Sequence, residues 1–192
     1  MAELTFREED HSYWLGERRI FGVTEIIRDN GLMNGTDFFT DEARERGSMV
    51  HKACELLAFD NLDWDSVDKQ IWGYVYSYKL YLEHTKFRAR HVEYQAIHPT
   101  LFYAGTFDAL GHDFQSDDLL FDLKSGVPEK WHQIQTAFYA ELAHANHHNV
   151  QRRGTVYLQR DGSIAKFHQH NDKSDWKIAV SALNLTNWRA AL

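Results

Sequence analysis

The spacing of apolar residues changes period several times along the chain, and each change marks an element. The opening stretch, LTFREEDHSYWLGERRIFGVTEIIRDNG, reads as a short hairpin running into a helix. Gly16 marks the turn, Thr24 is the expected N-cap, and Asn30-Gly31 is the stop. A second helix begins near Asp41, within TDEARERGSMVHKACELLAF. A third spans Ser66 to Lys86, where Ile71, Tyr74, Val75, Tyr78 and Tyr81 recur at helical spacing. The period then falls to two. HVEYQAIHP, LFYAGTFDALGHDF and DLLFDLKSG are three strand-like runs separated by turn residues. A helix from Glu129 to Ala145 follows, then strands near GTVYLQR and AKFHQH, and a last amphipathic helix, DKSDWKIAVSALNLTNWRAAL. This order predicts an α/β (α+β) architecture, a central mixed sheet flanked by helices. No repeat, low-complexity stretch or Pro/Gly/Ser-rich linker interrupts it, and the two prolines, Pro99 and Pro128, fall between elements. One domain over 1–192 is expected.

Composition narrows the setting. No apolar run approaches the length of about 18 residues that a transmembrane helix needs, so no membrane partner is expected. The start has neither the basic nor the apolar region of a secretory signal. A single cysteine, Cys54, cannot form an internal disulfide and cannot supply an iron–sulfur cluster or a cysteine zinc site. Cytoplasmic residence follows as the expectation. The net charge of −7 speaks against a nonspecific nucleic-acid coat protein. It does not speak against an enzyme whose clustered carboxylates hold cations. Arg44/Arg46, Lys86/Arg88/Arg90 and Arg152/Arg153 are local basic stretches, each of them in the first instance a solvated face.

The candidate chemistry lies in two adjacent strand runs. Alternation points Asp122 and Lys124 of FDLKSG to one face and Phe121 and Leu123 to the other. In GTFDAL, Asp108 is flanked by Phe107 and Ala109, which are expected to share the core face. With FQSD (114–117) as the connecting loop, antiparallel pairing sets residue 108 opposite 122 or 123; the loop leaves the register open by one. Two carboxylates and a lysine then converge on one side of a hairpin. Such a set suits phosphodiester hydrolysis. Carboxylates hold hard divalent cations, and a bound cation acidifies water. A lysine beside that water orients or deprotonates it, or stabilises the charged transition state. A D-x-K triplet alone is commonly a cross-strand ion pair, so the neighbouring motifs decide.

Those motifs are Gly47-x-x-x-His51, Glu93, Gly105-Thr-Phe-Asp108, Asp122-Leu-Lys124-Ser-Gly126 and Gln135-x-x-x-Tyr139. In this order they resemble the RecB-like branch of the PD-(D/E)XK nuclease superfamily, and HSYWLGERRIFGVTEII resembles the N-terminal signature of its phage-type exonucleases. The likeness covers roughly residues 10 to 145. It implies a restriction-endonuclease-like core and a Mg²⁺- or Mn²⁺-dependent deoxyribonuclease, an exonuclease of phage or prophage recombination acting in a bacterial host's cytoplasm. It implies His51, Asp108, Asp122 and the Leu123 carbonyl as metal ligands, with Lys124 catalytic beside Asp108 and Asp122. Gln135 and Tyr139 would position DNA, and Glu93 would bind substrate or order the metal shell. DNA is the implied partner, and a recombination or single-strand-binding protein a further one. The family's iron–sulfur cysteines are absent, which implies a cluster-free member. Asp122 stands where Glu is more common in the motif, a change the superfamily tolerates.

Other patterns carry less. His144, His147 and His148 fall at a helix end, where the dipole suits them, and His168 and His170 share a strand face. Asp60, Asp63, Asp65 and Asp68 lack the glycine and glutamate of a calcium loop and are expected to cap the third helix. Two other functions stay open: a structure-specific endonuclease on the same fold, and a catalytically silent nucleic-acid-binding module.

Overall fold

The computed structural model describes residues 3–7, 9–33 and 41–191. Three short strands open the chain: β1 (Leu4–Arg7), β2 (Ser12–Leu15) and β3 (Arg18–Gly22). The expected single hairpin is therefore a three-stranded meander. Gly16, at φ 62°, makes the two-residue turn that pairs Leu15 with Arg18. Strand β3 runs straight into α1 (Val23–Asp29), and Gly22 rather than Thr24 is the N-cap. Glu25 takes over the capping role, its Oε2 accepting from the Gly22 N–H at 3.3 Å. Thr24 is thus inside the helix, which frees its hydroxyl for a contact described below. At the other end the Asn30 amide donates to Ile26 O, Ala182 O and Thr186 Oγ1.

Helices α2 (Asp41–Ala58) and α3 (Lys69–Thr85) follow, with a 3₁₀ turn at Trp64–Ser66 between them. Helix α3 starts three residues later than expected because Asp68 caps it, accepting from the Gln70 N–H at 2.7 Å. Asp63 caps the 3₁₀ turn in the same way, accepting from the Asp65 N–H. Strands β4 (Arg88–Ile97), β5 (Tyr103–His112) and β6 (Leu119–Lys124) come next, then α4 (Trp131–Ala145), β7 (Arg152–Tyr157), β8 (Lys166–Gln169) and α5 (Ser174–Ala190).

The strands form one mixed eight-stranded sheet in the order β1-β2-β3-β5-β6-β7-β8, with β4 on β5. β5 and β6 are antiparallel; β6 and β7 are parallel and joined through α4, since a parallel return needs a crossover. Helices cover both faces, so β6 reads LLF with little alternation of polarity. Leu120 faces a core shared with α1, α4 and α5, among Phe138, Leu142 and Leu183. Leu119, Phe121 and Leu123 face the opposite core, against Val50 and Cys54 of α2 and Val75 and Tyr78 of α3. Cys54 is a buried small apolar side chain there, as its sequence context suggests. Each fully buried Leu or Phe contributes about 1.5–3 kcal/mol. Among the described residues no helix is long and apolar enough to cross a membrane.

Candidate metal centre

The centre sits where strand β5 lacks a neighbour. On one edge β4 pairs with β5 from Ala104 to His112. On the other edge β3 reaches only Tyr103 and Ala104, and β6 reaches only Ala109 to Gly111. Among the described residues, 105–108 therefore have an open edge between two strands that do not pair with each other. Gly105 lines it because nothing larger fits: a Cβ there would lie 2.9 Å from Tyr139 Cε1 and 3.0 Å from Val23 Cγ2. Beside it the Tyr13 and Thr106 hydroxyls share a 2.8 Å hydrogen bond.

Strand alternation also breaks at this point. Phe107 and Leu110 both lie in the core of α1, α4 and α5, while Ala109 lies in the core of α2 and α3. The expectation that Phe107 and Ala109 share a face is thus wrong. Directly across on β4, Glu93 holds φ at 46°, a left-handed conformation rare for a residue with a Cβ. Such a residue costs on the order of 1–3 kcal/mol and persists only where its surroundings enforce it. Asp108, on the face opposite Phe107, turns towards α2, and the break in the pleat falls between Asp108 and Ala109.

Three side chains consequently meet. His51 Nδ1 of α2 lies 3.2 Å from Asp108 Oδ1 and 3.7 Å from Glu93 Oε1. One ligand atom from each lies within 4.8 Å of the others, and among the described residues this is the one such group of three. Desolvation alone would lower the His51 imidazole, but Asp108 and Glu93 hold it well above its ordinary value. Burial alone would raise Asp108, yet His51, Lys124 and the Leu123 N–H hold it below the usual carboxylate range. Burial raises Glu93, and Asp108 adds to the rise.

The register of β5 and β6, Ala109 on Phe121, extends by one step to set Asp108 against Asp122. The ladder stops there. Asp108 Oδ2 instead accepts from the Leu123 N–H, so Leu123 meets the acidic group through its amide while its side chain packs in the core. Asp122 is not one of the three clustered ligands. Its Oδ2 lies 2.6 Å from Lys124 Nζ, a close ion pair but a poorly directed hydrogen bond, and among the described residues it has no other partner. Burial pushes the Asp122 carboxyl up to about 6 against the pull of Lys124, with Asp108 adding to the rise. Lys124 and Asp122 share a face, as alternation requires. Lys124 Nζ also lies 5.3 Å from the ring centre of buried Trp131, whose indole N–H donates to Glu129 Oε2 at 3.0 Å. This aromatic seat is not legible from residue order, because Trp131 opens the next helix and looks like core.

Gln135 and Tyr139, one turn apart on α4, are both buried. Gln135 Nε2 donates to the Tyr139 hydroxyl at 3.1 Å and to Thr24 Oγ1 at 3.4 Å, while its Oε1 has no partner. They back the open edge from inside the fold. Burial pushes the Tyr139 hydroxyl well up, and Asp122 and Asp108 add to this. Glu93, for which the resemblance implies substrate binding or ordering of the metal shell, lies beside His51, which also meets Asp108.

The remaining candidates are taken up by the fold. Arg152 is paired with Asp113, Arg153 with buried Asp175, and Arg90 with Asp118, so these basic residues serve internal acids. His148 packs on His91 with the rings tilted, their centres 4.3 Å apart, and His170 Nδ1 lies 2.8 Å from Thr136 Oγ1. What the gathered group offers is a set of hard donors, three carboxylates and an imidazole, with one lysine beside them. Compared with family models and with curated proteins, the chain matches none of either.

Proposed function

We propose that this protein is a divalent-metal-dependent deoxyribonuclease of the PD-(D/E)XK type, built on a restriction-endonuclease-like core and acting as an exonuclease. The observation that carries it is the meeting of His51, Glu93, Asp108 and the Asp122–Lys124 pair at the open edge of β5. The donor set fits Mg²⁺ or Mn²⁺: its oxygens are hard, and the imidazole favours Mn²⁺ among the two. Asp122 Oδ2 is buried and already faces the Lys124 ammonium at 2.6 Å, so the fit rests on the chemistry of the donor set. Asp108 and Asp122 would hold the cation with His51 and Glu93, and the Leu123 carbonyl is the further ligand that the family resemblance implies. When bound, such a cation supplies an acidified water and positive charge for a phosphodiester.

The chain's own residues do the rest. Lys124, seated against Trp131, brings an ammonium to the side of Asp122, where it can orient the attacking water or neutralise the phosphate. Gln135 and Tyr139 brace the wall of the edge along which a DNA strand would lie. Phage or prophage recombination in a bacterial cytoplasm is the setting this activity suits.

The test uses end-labelled linear DNA beside covalently closed circles of the same sequence. Linear DNA is expected to disappear with Mg²⁺ or Mn²⁺ and to persist in EDTA, while the circles survive. Equal activity in EDTA overturns the metal mechanism. Equal cutting of circles makes the protein an endonuclease, and inertness towards every DNA and RNA points to a binding module.

A further inference from the structure

Helix α3 carries a second surface that the proposed chemistry does not use. Trp72 and Tyr76, one turn apart, stack with ring centres 4.8 Å apart and planes 12° from parallel. Trp64, from the preceding 3₁₀ turn, meets both edge-on at 6.1 Å and 6.3 Å. Trp72 is 43 % exposed, far more than an aromatic ring serving the core. The platform is stiff. Asp63 and Asp68 cap the two helical segments that carry it, and Gly73 lets the Arg160–Gly162 turn press on α3, where a Cβ would come within 1.9 Å of Arg160 O.

Acidic residues outnumber basic ones around these rings, Lys69 and Arg160 being the exposed cations beside them. Asp60, Asp63, Asp65 and Asp68 are all exposed, and each capping aspartate uses one oxygen. A cation is already seated on the rings from within the chain: Lys79 Nζ lies 5.9 Å from the Trp64 ring centre and 5.8 Å from that of Tyr76. The rings therefore take a cation in the geometry of a cation–π contact. Electron-rich faces bordered by carboxylates repel a phosphate backbone and suit a guanidinium, which stacks on an indole while its N–H groups reach an acid.

We infer that this face of α3 is a docking surface for an arginine- or lysine-rich segment of a protein partner. The segment would lay a cationic side chain on the exposed Trp72 ring and pair its neighbours with Asp65 and Asp68. The surface does not depend on the nuclease reading, and the test does not involve cleavage.

The experiment follows the anisotropy of a fluorescein-labelled hexa-arginine peptide titrated with the full chain, beside a labelled oligothymidylate. Trp72→Leu is expected to weaken peptide binding about tenfold, the upper range of a partly desolvated cation–π contact. Asp65→Asn with Asp68→Asn, which keeps the helix cap, is expected to do the same. Trp188→Leu, at the exposed tryptophan of α5, is expected to leave binding unchanged. Circular dichroism checks each fold, and the double Asn variant carries the test if Trp72→Leu does not fold. Absence of peptide binding, or binding indifferent to the α3 changes, overturns the inference. Oligothymidylate binding that is lost in Trp72→Leu overturns it too, and makes the platform a seat for nucleic-acid bases.

Discussion

The Arg153–Asp175 pair and the acidic group around Asp108 both hold buried charge between the central sheet and a helix, but only the first is balanced in charge. Arg153 donates to Gln133 O, Thr136 Oγ1, Asp172 O and Asp175 Oδ2, and the last of these contacts is 2.6 Å long. One guanidinium meets one carboxylate, and backbone and hydroxyl oxygens take its remaining donors. At the open edge of β5, three carboxylates, Glu93, Asp108 and Asp122, share one lysine and one histidine. The first arrangement is balanced in charge, although Asp175 Oδ1 has no hydrogen-bond partner among the described residues. The second keeps an excess of negative charge, raises the Asp122 carboxyl, and includes Glu93, whose backbone is left-handed. A buried charge marks a site when its partners are too few, and a structural tie when they suffice.

That contrast can be broken most severely at Asp175. Asp175→Ala leaves Arg153 buried without its counter-charge, so urea unfolding is expected to show a loss of about 3–5 kcal/mol, with Mn²⁺ affinity unchanged. A similar loss of metal affinity would show that the two groups are not separate. Next comes Lys124→Ala, where single-turnover cleavage is expected to fall roughly 10²-fold or more while calorimetry finds Mn²⁺ bound as well or better. Asp122→Ala, by contrast, should lose metal and cleavage together. Near-normal cleavage in Lys124→Ala would reduce D-x-K to an ion pair.

Trp131→Leu asks a finer question. It keeps apolar bulk and removes the ring face beside Lys124 Nζ, so cleavage should fall by up to about tenfold with metal affinity intact, and Trp131→Phe should restore most of it. Unchanged turnover in Trp131→Leu would make the ring mere packing.

The smallest effect concerns acid. Burial holds the His132 imidazole down at about 3, with Lys124 adding to this, and its Nδ1 accepts from the Glu129 N–H at 3.2 Å. The unfolded chain binds a proton near pH 6.5 that the folded chain refuses, so stability falls as pH drops from 6.5 towards 3. Between pH 7 and pH 6 the loss expected from His132 is of order 1 kcal/mol, and His132→Gln should flatten that slope in thermal melts. An unaltered slope would place the acid sensitivity elsewhere.

Much of this was legible before any coordinates. Period-two runs located β5 and β6, and alternation set Asp122 and Lys124 on one face, where the structure has them in contact. The fold class followed from element order. What escaped was non-local. Nothing near residue 20 announces that β3 will pair with Tyr103, and that pairing is what leaves residues 105–108 with an open edge. Alternation also fails as a guide where the pleat slips, so it puts Ala109 on the face of Phe107 and not in the core of α2 and α3. The basic dipeptide Arg152-Arg153 looked solvated because its acids, Asp113 and Asp175, come from distant turns and helices.

The Asn30 amide ties Ile26 of α1 to Ala182 and Thr186 of α5, spanning more than 150 residues with one side chain. In kinetic terms such a latch belongs to late folding, because the chain entropy of closing so long a loop is lost before the contact is gained. Interactions absent from the folding transition state act chiefly on the unfolding rate. Asn30 is thus placed to set how long the folded molecule lasts once formed, while the local strand and helix pairings govern how fast it forms.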